Sequence, residues 1–123
     1  MNKDKKNKTI LFVDDEPALV KMNIIFLQRH GYSVKGTVYA GEALNWFKAD
    51  PKAFNLVITD IAMPEMNGEE MIRKLRMIYP GVKIIVLSGT IHTRQTDRSN
   101  HIIYLDKPVE PEKLLEQIHL LIG

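Results

Sequence analysis

The sequence predicts an α/β protein built on a doubly wound, parallel sheet of five strands. Five short runs rich in Ile, Val and Leu begin 24, 23, 26 and 20 residues apart, which is the spacing of successive strand–helix units. Four of these runs are almost continuously apolar, as expected for strands that helices cover on both faces. Right-handed crossovers between the strands would place helices on both sides of the sheet.

The five predicted strands are Thr9–Val13, Ser33–Val38, Leu56–Thr59, Val82–Leu87 and Ile102–Leu105. The second, "SVKGTV", alternates polar and apolar residues and is therefore predicted to lie at an edge of the sheet.

Helix-compatible sequence separates the strands, with proline and glycine marking the ends. The predicted helices cover residues 17–30, 40–50, 69–79 and 111–123. The segment between the last two strands, "IHTRQTDRSN", has one strongly apolar residue, Ile91, and no apolar stripe. A fourth helix in this segment is therefore predicted to be short or irregular.

Length and composition predict one domain. The 123 residues are 45% hydrophobic, which is enough for one core. We expect a charged, disordered tail at residues 1–8 and a folded domain at 9–123. No run approaches the roughly 18 apolar residues of a membrane span, no signal peptide is recognisable, and the absence of cysteine excludes disulfides and thiolate catalysis. The sequence thus predicts a soluble, cytoplasmic protein without a membrane partner.

The net charge of +2 comes from the tail. Residues 1–8 carry Lys3, Lys5, Lys6 and Lys8 against Asp4, a local +3, which leaves −1 for residues 9–123. A domain with this charge is not expected to bind nucleic acid directly.

Four of the apolar runs are followed directly by polar residues. They are Asp14 and Asp15, Asp60, Ser88, and Asp106 with Lys107. Because ligands bind at the carboxyl ends of parallel strands, we expect these side chains to converge on one edge of the sheet. Each residue alone also has a structural interpretation, such as a turn or helix cap for the aspartates.

Three carboxylates brought together repel one another unless a cation lies among them. Mg²⁺ prefers such oxygen ligands and completes its shell with water and phosphate oxygens. Lys107 adds a positive charge and Ser88 a hydroxyl donor. The set therefore predicts phosphoryl transfer onto a carboxylate.

With these residues in place, the chain closely resembles the receiver domain of bacterial two-component response regulators. The resemblance extends from about Thr9 to Leu121 and is carried by "VDDEP", "DIAMPEMNG", "IVLSG" and "YLDKP", in that order. It implies the flavodoxin-like strand order 2-1-3-4-5.

The resemblance also implies roles at the site. Asp60 matches the residue that accepts a phosphoryl group. Asp15, Asp60 and the backbone carbonyl of Ala62 would ligate Mg²⁺ (or Mn²⁺) directly, and Asp14 would act largely through a bound water. Lys107 would pair with the phosphoryl group.

A conformational switch is implied as well. Ser88 would move to hydrogen-bond the phosphoryl group, and Tyr104 matches the aromatic residue that follows this movement. Without the resemblance, an aromatic side chain in a strand would be read as packing. Lys107–Pro108 matches a peptide bond that is usually cis in the family.

Two features depart from the family pattern. Ser88 and Lys107 are 19 positions apart, a shorter interval than expected, which leaves open how the fourth helix would transmit a signal. In the first helix, with Leu19 placed at the centre of the inner face, Val20, Ile24 and Leu27 fall on one flank. They are predicted to be either a wider core stripe or a strip that docks the kinase.

The function implied is a signalling switch rather than an enzyme for external substrates. Its expected partners are a histidine kinase or histidine phosphotransfer protein, and a downstream protein or output domain. Two alternatives are a binding module that acts without phosphorylation and a metal-dependent phosphatase. The five intact site residues speak against the first, and the lack of added substrate-binding segments speaks against the second.

Overall fold

A computed structural model describes residues 8–89 and 100–123, which include all five strands of a parallel sheet. The strands are β1 Thr9–Val13, β2 Ser33–Thr37, β3 Leu56–Asp60, β4 Ile84–Ser88 and β5 Ile102–Asp106. Their order across the sheet is β2-β1-β3-β4-β5, and every neighbouring pair is parallel. The predicted fold class and strand order are confirmed, with β2 at one edge.

Four helices lie within the described ranges. They are α1 Pro17–Arg29, α2 Ala40–Ala49, α3 Gly68–Ile78 and α4 Pro111–Ile122, and a short 3₁₀ turn, Pro51–Ala53, follows α2. The predicted short or irregular helix in "IHTRQTDRSN" falls on residues 91–100, of which 91–99 lie outside the described residues, as do residues 1–7 of the predicted tail.

Strand β4 begins two residues later than predicted. Val82 is buried, but its amide donates to the carbonyl of Tyr79 and so belongs to the turn after α3. Strands β3 and β4 each extend one residue further than predicted, through Asp60 and Ser88. Strand β5 likewise extends one residue further, through Asp106, so three of the polar residues belong to the sheet itself.

Two apolar cores cover the faces of the sheet, because successive side chains of a strand point to opposite sides. Phe12, Ile58 and Ile85 pack with α1 and α4 on one face, which we call the α1/α4 face. Val13 and Val86 pack with α2 and α3 on the other, the α2/α3 face.

The inner face of α1 is centred on Val20, Ile24 and Leu27, and not on Leu19 as predicted. Val20 is 7% exposed and Leu27 is 0% exposed, while Ile24 packs against the same core. Glycine at position 36 of β2 lets the helix approach closely, since a Cβ there would lie 2.7 Å from Ile24 Cδ1.

Burial therefore supports the core interpretation for Val20 and Leu27 and argues against docking by these two side chains. Ile24 is only partly buried, and docking through it stays a prediction. A side chain buried against the sheet cannot contact a partner while the helix stays in place. The exposed apolar residues of α1 are Met22 and Ile25, at 54% and 43% exposure.

None of the helices in the described ranges is both long enough and apolar enough to cross a bilayer.

Candidate functional site

The carboxyl ends of the strands place the predicted polar residues at one edge of the sheet. Asp60, Ser88 and Asp106 are the last residues of β3, β4 and β5, Asp14 directly follows β1, and Lys107 directly follows β5. Ser88 and Asp106 are register partners, and Asp60 pairs with Leu87. Separated segments of the chain thus meet as the sequence predicted.

Three carboxylates form the centre of the site. Oxygens of Asp14, Asp15 and Asp60 all lie within 4.8 Å of one another. Asp14 is 0% and Asp60 5% exposed, whereas Asp15 is exposed. The site is therefore a partly buried acidic cluster that opens to solvent at Asp15.

Lys107 bridges the two buried carboxylates. Its Nζ donates to Asp14 Oδ2 at 2.9 Å and to Asp60 Oδ2 at 3.0 Å. The backbone amide of Lys107 donates to the carbonyl of Ser88 at 2.6 Å, and the Lys107–Pro108 peptide bond is cis. The ammonium is thus held between β1 and β3 by a segment anchored to β4.

Backbone amides satisfy the remaining oxygens of both acids. Asp14 Oδ1 accepts from the amide of Glu16 at 3.0 Å, and Asp60 Oδ1 accepts from the amide of Ala62 at 3.1 Å. Both are turns in which an aspartate bonds the amide two residues on. Asp14 therefore forms a turn, one of the two interpretations its position in the sequence allowed, and the same side chain lies in the acidic cluster.

The charges of the cluster do not balance within the described residues. One ammonium faces three carboxylates. The pKa of Asp15 is raised by desolvation and by the neighbouring carboxylates of Asp60 and Asp14. Desolvation acts to lower the pKa of Lys107, but its hydrogen bonds to Asp14 and Asp60 outweigh this and raise it. Clustered carboxylate oxygens with excess negative charge suit a hard divalent cation such as Mg²⁺.

The loop after Asp60 is fixed by a close approach to α3. The amide of Gly68 donates to the carbonyl of Ile61, and a Cβ at position 68 would lie 2.6 Å from Ile61 Cα. Asn67 caps α3 by accepting from the amide of Glu70. The glycine and the capping asparagine of "DIAMPEMNG" therefore set the path of the chain beside Asp60.

Sequence reasoning missed the role of Glu65 in the same loop. Its Oε1 accepts from the amide of Ala40 at 3.1 Å, which ties the loop to the first turn of α2. The positions are 25 residues apart, so no local sequence pattern could have identified the contact.

Ser88 and Tyr104 lie on the α2/α3 face of the sheet. Ser88 is 1% exposed, and Tyr104 sits beside Val86 in the register and packs against the core of that face. The side chain of Tyr104 thus contributes to packing, two register positions away from the Ser88 and Asp106 pair.

Comparison with known proteins gives the class of the chain. The family model for the response regulator receiver domain matches residues 10–119. The chain therefore belongs to the receiver domains of response regulators, proteins of two-component signalling systems.

Individual relatives agree with this class. The chain is 36% identical over 81 residues to the sensor kinase CckA of Brucella abortus, covering 66% of this chain and 9% of the relative. It is 28% identical over 118 residues to the response regulator receiver protein CpdR of the same organism, covering 94% and 97%. A crystal structure of the receiver domain from a hybrid histidine kinase named CckA aligns with a TM-score of 0.81 at 25% identity, covering 94% of this chain and 99% of that one.

The share of each relative that is covered varies widely. The chain spans 9% of CckA and 25% of the transcriptional regulatory protein GlrR of Escherichia coli, but 86% of an uncharacterised 14.6 kDa protein of Leptolyngbya boryana. Receiver domains of this kind thus occur within long proteins and as nearly whole short ones.

Proposed function

We propose that this receiver domain accepts a phosphoryl group on the carboxylate of Asp60, from a phosphohistidine of a histidine kinase or histidine phosphotransfer protein. The observation that carries the proposal is the position of Asp60 at the end of β3, 3.0 Å from Lys107 Nζ and within the cluster formed with Asp14 and Asp15. The proposal places this domain in the cytoplasm, together with the phosphohistidine donor.

The transfer exchanges one bond for another. A carboxylate oxygen of Asp60 attacks phosphorus as the bond from phosphorus to the donor imidazole nitrogen breaks, and the electron pair returns to the imidazole. Charge accumulates on the phosphoryl oxygens, so a fixed cation beside the acceptor lowers the barrier. Lys107 provides that cation and would pair with the phosphoryl oxygens after transfer.

Mg²⁺ or Mn²⁺ fits the donor set. Asp15, Asp60 and the backbone carbonyl of Ala62 would hold the ion directly, with Asp14 acting largely through a water. When bound, the cation offsets the negative charge of the carboxylates and of the incoming phosphoryl group. Asp14 would meanwhile keep Lys107 beside Asp60 through its 2.9 Å hydrogen bond.

Phosphorylation would then shift an equilibrium between two conformations of the domain. The Ser88 hydroxyl would donate to a phosphoryl oxygen, and Tyr104, on the same face of the sheet, would change rotamer with it. A downstream protein or output domain would distinguish the two conformations.

The proposal is tested by incubating the protein with Mg²⁺ and acetyl phosphate and measuring its intact mass. We expect wild type to gain one phosphoryl group, and neither Asp60→Asn nor a chelated sample to do so. Equal labelling of Asp60→Asn would show that another residue accepts the phosphoryl group, and no labelling of wild type would favour a binding module that acts without phosphorylation.

A further inference from the structure

A second charged site lies at the amino ends of the strands, on the side of the sheet away from Asp60. A cavity of about 550 Å³ opens between the start of β1, the turn before β3, the turn between α3 and β4, and the end of α4. Its lining includes Lys8, Lys52 and Lys83 together with Phe54, Asn55 and Tyr79. No aspartate or glutamate is among the lining residues of the described chain.

The three lysines have no acidic partner in the described part of the chain. The ion pairs found there involve Lys74 and Lys107, and none includes Lys8, Lys52 or Lys83. Lysines on a protein surface are ordinarily interspersed with acids. Ammonium groups that surround one cavity repel one another when, as among residues 8–89 and 100–123, no carboxylate pairs with them, and an anion bound between them would relieve that repulsion.

The side chains around the cavity are partly held in place. Lys83 Nζ donates to the carbonyl of Leu121 at 2.8 Å, which fixes the ammonium at the cavity wall and leaves it further protons to donate. Asn55 Oδ1 accepts from the amide of Thr9 at 2.8 Å, so its NH₂ group remains a donor. Ammonium and amide groups are both donors that phosphate oxygens accept from.

Aromatic side chains form part of the wall. Phe54 is half-buried against the core and stacks on Phe47, and the ring of Tyr79 lies over Gly81. An aromatic ring of a ligand could pack against these side chains, next to the lysines.

We propose that this cavity, at the amino end of the sheet, binds a small anion with two or more linked phosphate groups, such as a nucleoside diphosphate. The site is remote from Asp60 along the strands, and its occupation does not depend on the chemistry proposed there. It would give the domain a second input besides phosphorylation.

The test uses ADP as the probe, in the presence of EDTA so that no metal can bring phosphate to the acidic edge. Binding is followed by isothermal titration calorimetry and by backbone amide shifts. We expect a Kd below about 1 mM, with shifts at Asn55, Gly81 and Lys83 and none at Ala62. Adenosine, which lacks phosphate, should not bind measurably.

Matched variants separate this site from general attraction to positive charge. Lys52→Glu and Lys83→Glu should each weaken ADP binding about tenfold or more. Lys52 is exposed and makes no hydrogen bond in the described structure, so its replacement leaves the fold intact. Lys113→Glu, which removes an exposed lysine of α4, and Asp60→Asn should bind as wild type does.

Three results would overturn the proposal. They are the absence of ADP binding at millimolar concentration, equal binding of adenosine, and a loss in Lys113→Glu as large as that in Lys52→Glu.

Discussion

Lys107 is the residue on which the site depends most. Within the part of the chain that the structure describes, it is the cation that contacts the two buried carboxylates Asp14 and Asp60, at 2.9 and 3.0 Å. Removing a charged partner from a largely buried pair leaves its counter-ions unpaired, which is more destabilising than the pair is stabilising.

We predict that Lys107→Met lowers the free energy of unfolding by about 1 to 3 kcal/mol at neutral pH without divalent cations. Lys113→Met, at an exposed position, should stay within about 0.5 kcal/mol of wild type. Urea unfolding measures both. A Lys107→Met protein as stable as wild type would show that the ammonium does not stabilise the cluster.

Asp15, in contrast to Lys107, lowers the free energy of unfolding at neutral pH, and this effect depends on pH. Its pKa in the fold is raised above the ordinary value of 3.8 by desolvation and by Asp60 and Asp14. A carboxyl with a raised pKa destabilises the fold when ionised. Without a metal ion, the penalty is present at neutral pH and disappears as the pH falls through the raised pKa toward 3.8.

Asp15→Asn should therefore be more stable than wild type at pH 7 in EDTA. Its advantage should shrink as the pH is lowered through the raised pKa, because the wild-type carboxyl then becomes neutral. Urea midpoints measured across this range provide the test. An Asp15→Asn protein that is no more stable than wild type at pH 7 contradicts the electrostatic account of the cluster.

At the scale of elements, the contact between the start of α3 and the loop after β3 fixes the chain beside Asp60. Any side chain at position 68 must displace the backbone of Ile61, because a Cβ would lie 2.6 Å from Ile61 Cα. Glycine is thus required here by space and not by its backbone freedom.

We predict that Gly68→Ala lowers the free energy of unfolding by about 1 to 3 kcal/mol. Gly41→Ala is the matched control. It lies within α2 with no atom near its Cβ position, so alanine should stabilise the helix by about 0.5 to 1 kcal/mol. Thermal unfolding distinguishes the predicted loss of stability in Gly68→Ala from the predicted gain in Gly41→Ala. If Gly68→Ala were as stable as wild type, the loop would adjust freely.

Helix α1 has a buried face and an exposed apolar one. Leu27 is 0% exposed and belongs to the core on the α1/α4 face, whereas Met22 is 54% exposed. The two side chains are of similar size, so burial is the main difference between them.

Leu27→Ala should lower the free energy of unfolding by about 2 to 5 kcal/mol, and Met22→Ala should change it by less than about 0.5 kcal/mol. Chemical denaturation gives both values. If Leu27→Ala were no more costly than Met22→Ala, the inner face of α1 would be assigned wrongly.

At the scale of the whole molecule, the sheet separates charge between its two edges. Asp14, Asp15 and Asp60 lie at the carboxyl edge, and Lys8, Lys52 and Lys83 lie at the amino edge. The strands and their cores hold these edges apart, so the two sites can be altered independently.

Much of this arrangement was predictable from sequence. Apolar runs at regular intervals gave the strands, and polar residues directly after them gave the carboxyl edge, because both signals are local. The strand order came from the family resemblance. The orientation of α1 was misjudged because a helix with apolar residues on several sides does not reveal which side faces the sheet.

Contacts between distant segments were the part that sequence could not supply. The hydrogen bond from the amide of Ala40 to Glu65, and the grouping of Lys8, Lys52 and Lys83, depend on how turns meet in three dimensions.

The most direct test of the central claim is to locate the phosphoryl group after reaction with acetyl phosphate and Mg²⁺. Borohydride reduces an acyl phosphate to an alcohol, so reduction followed by peptide mass spectrometry marks the modified aspartate. We predict homoserine at position 60, with Asp14 and Asp15 unchanged. Modification at another residue, or at none, would contradict the assignment of Asp60 as the acceptor.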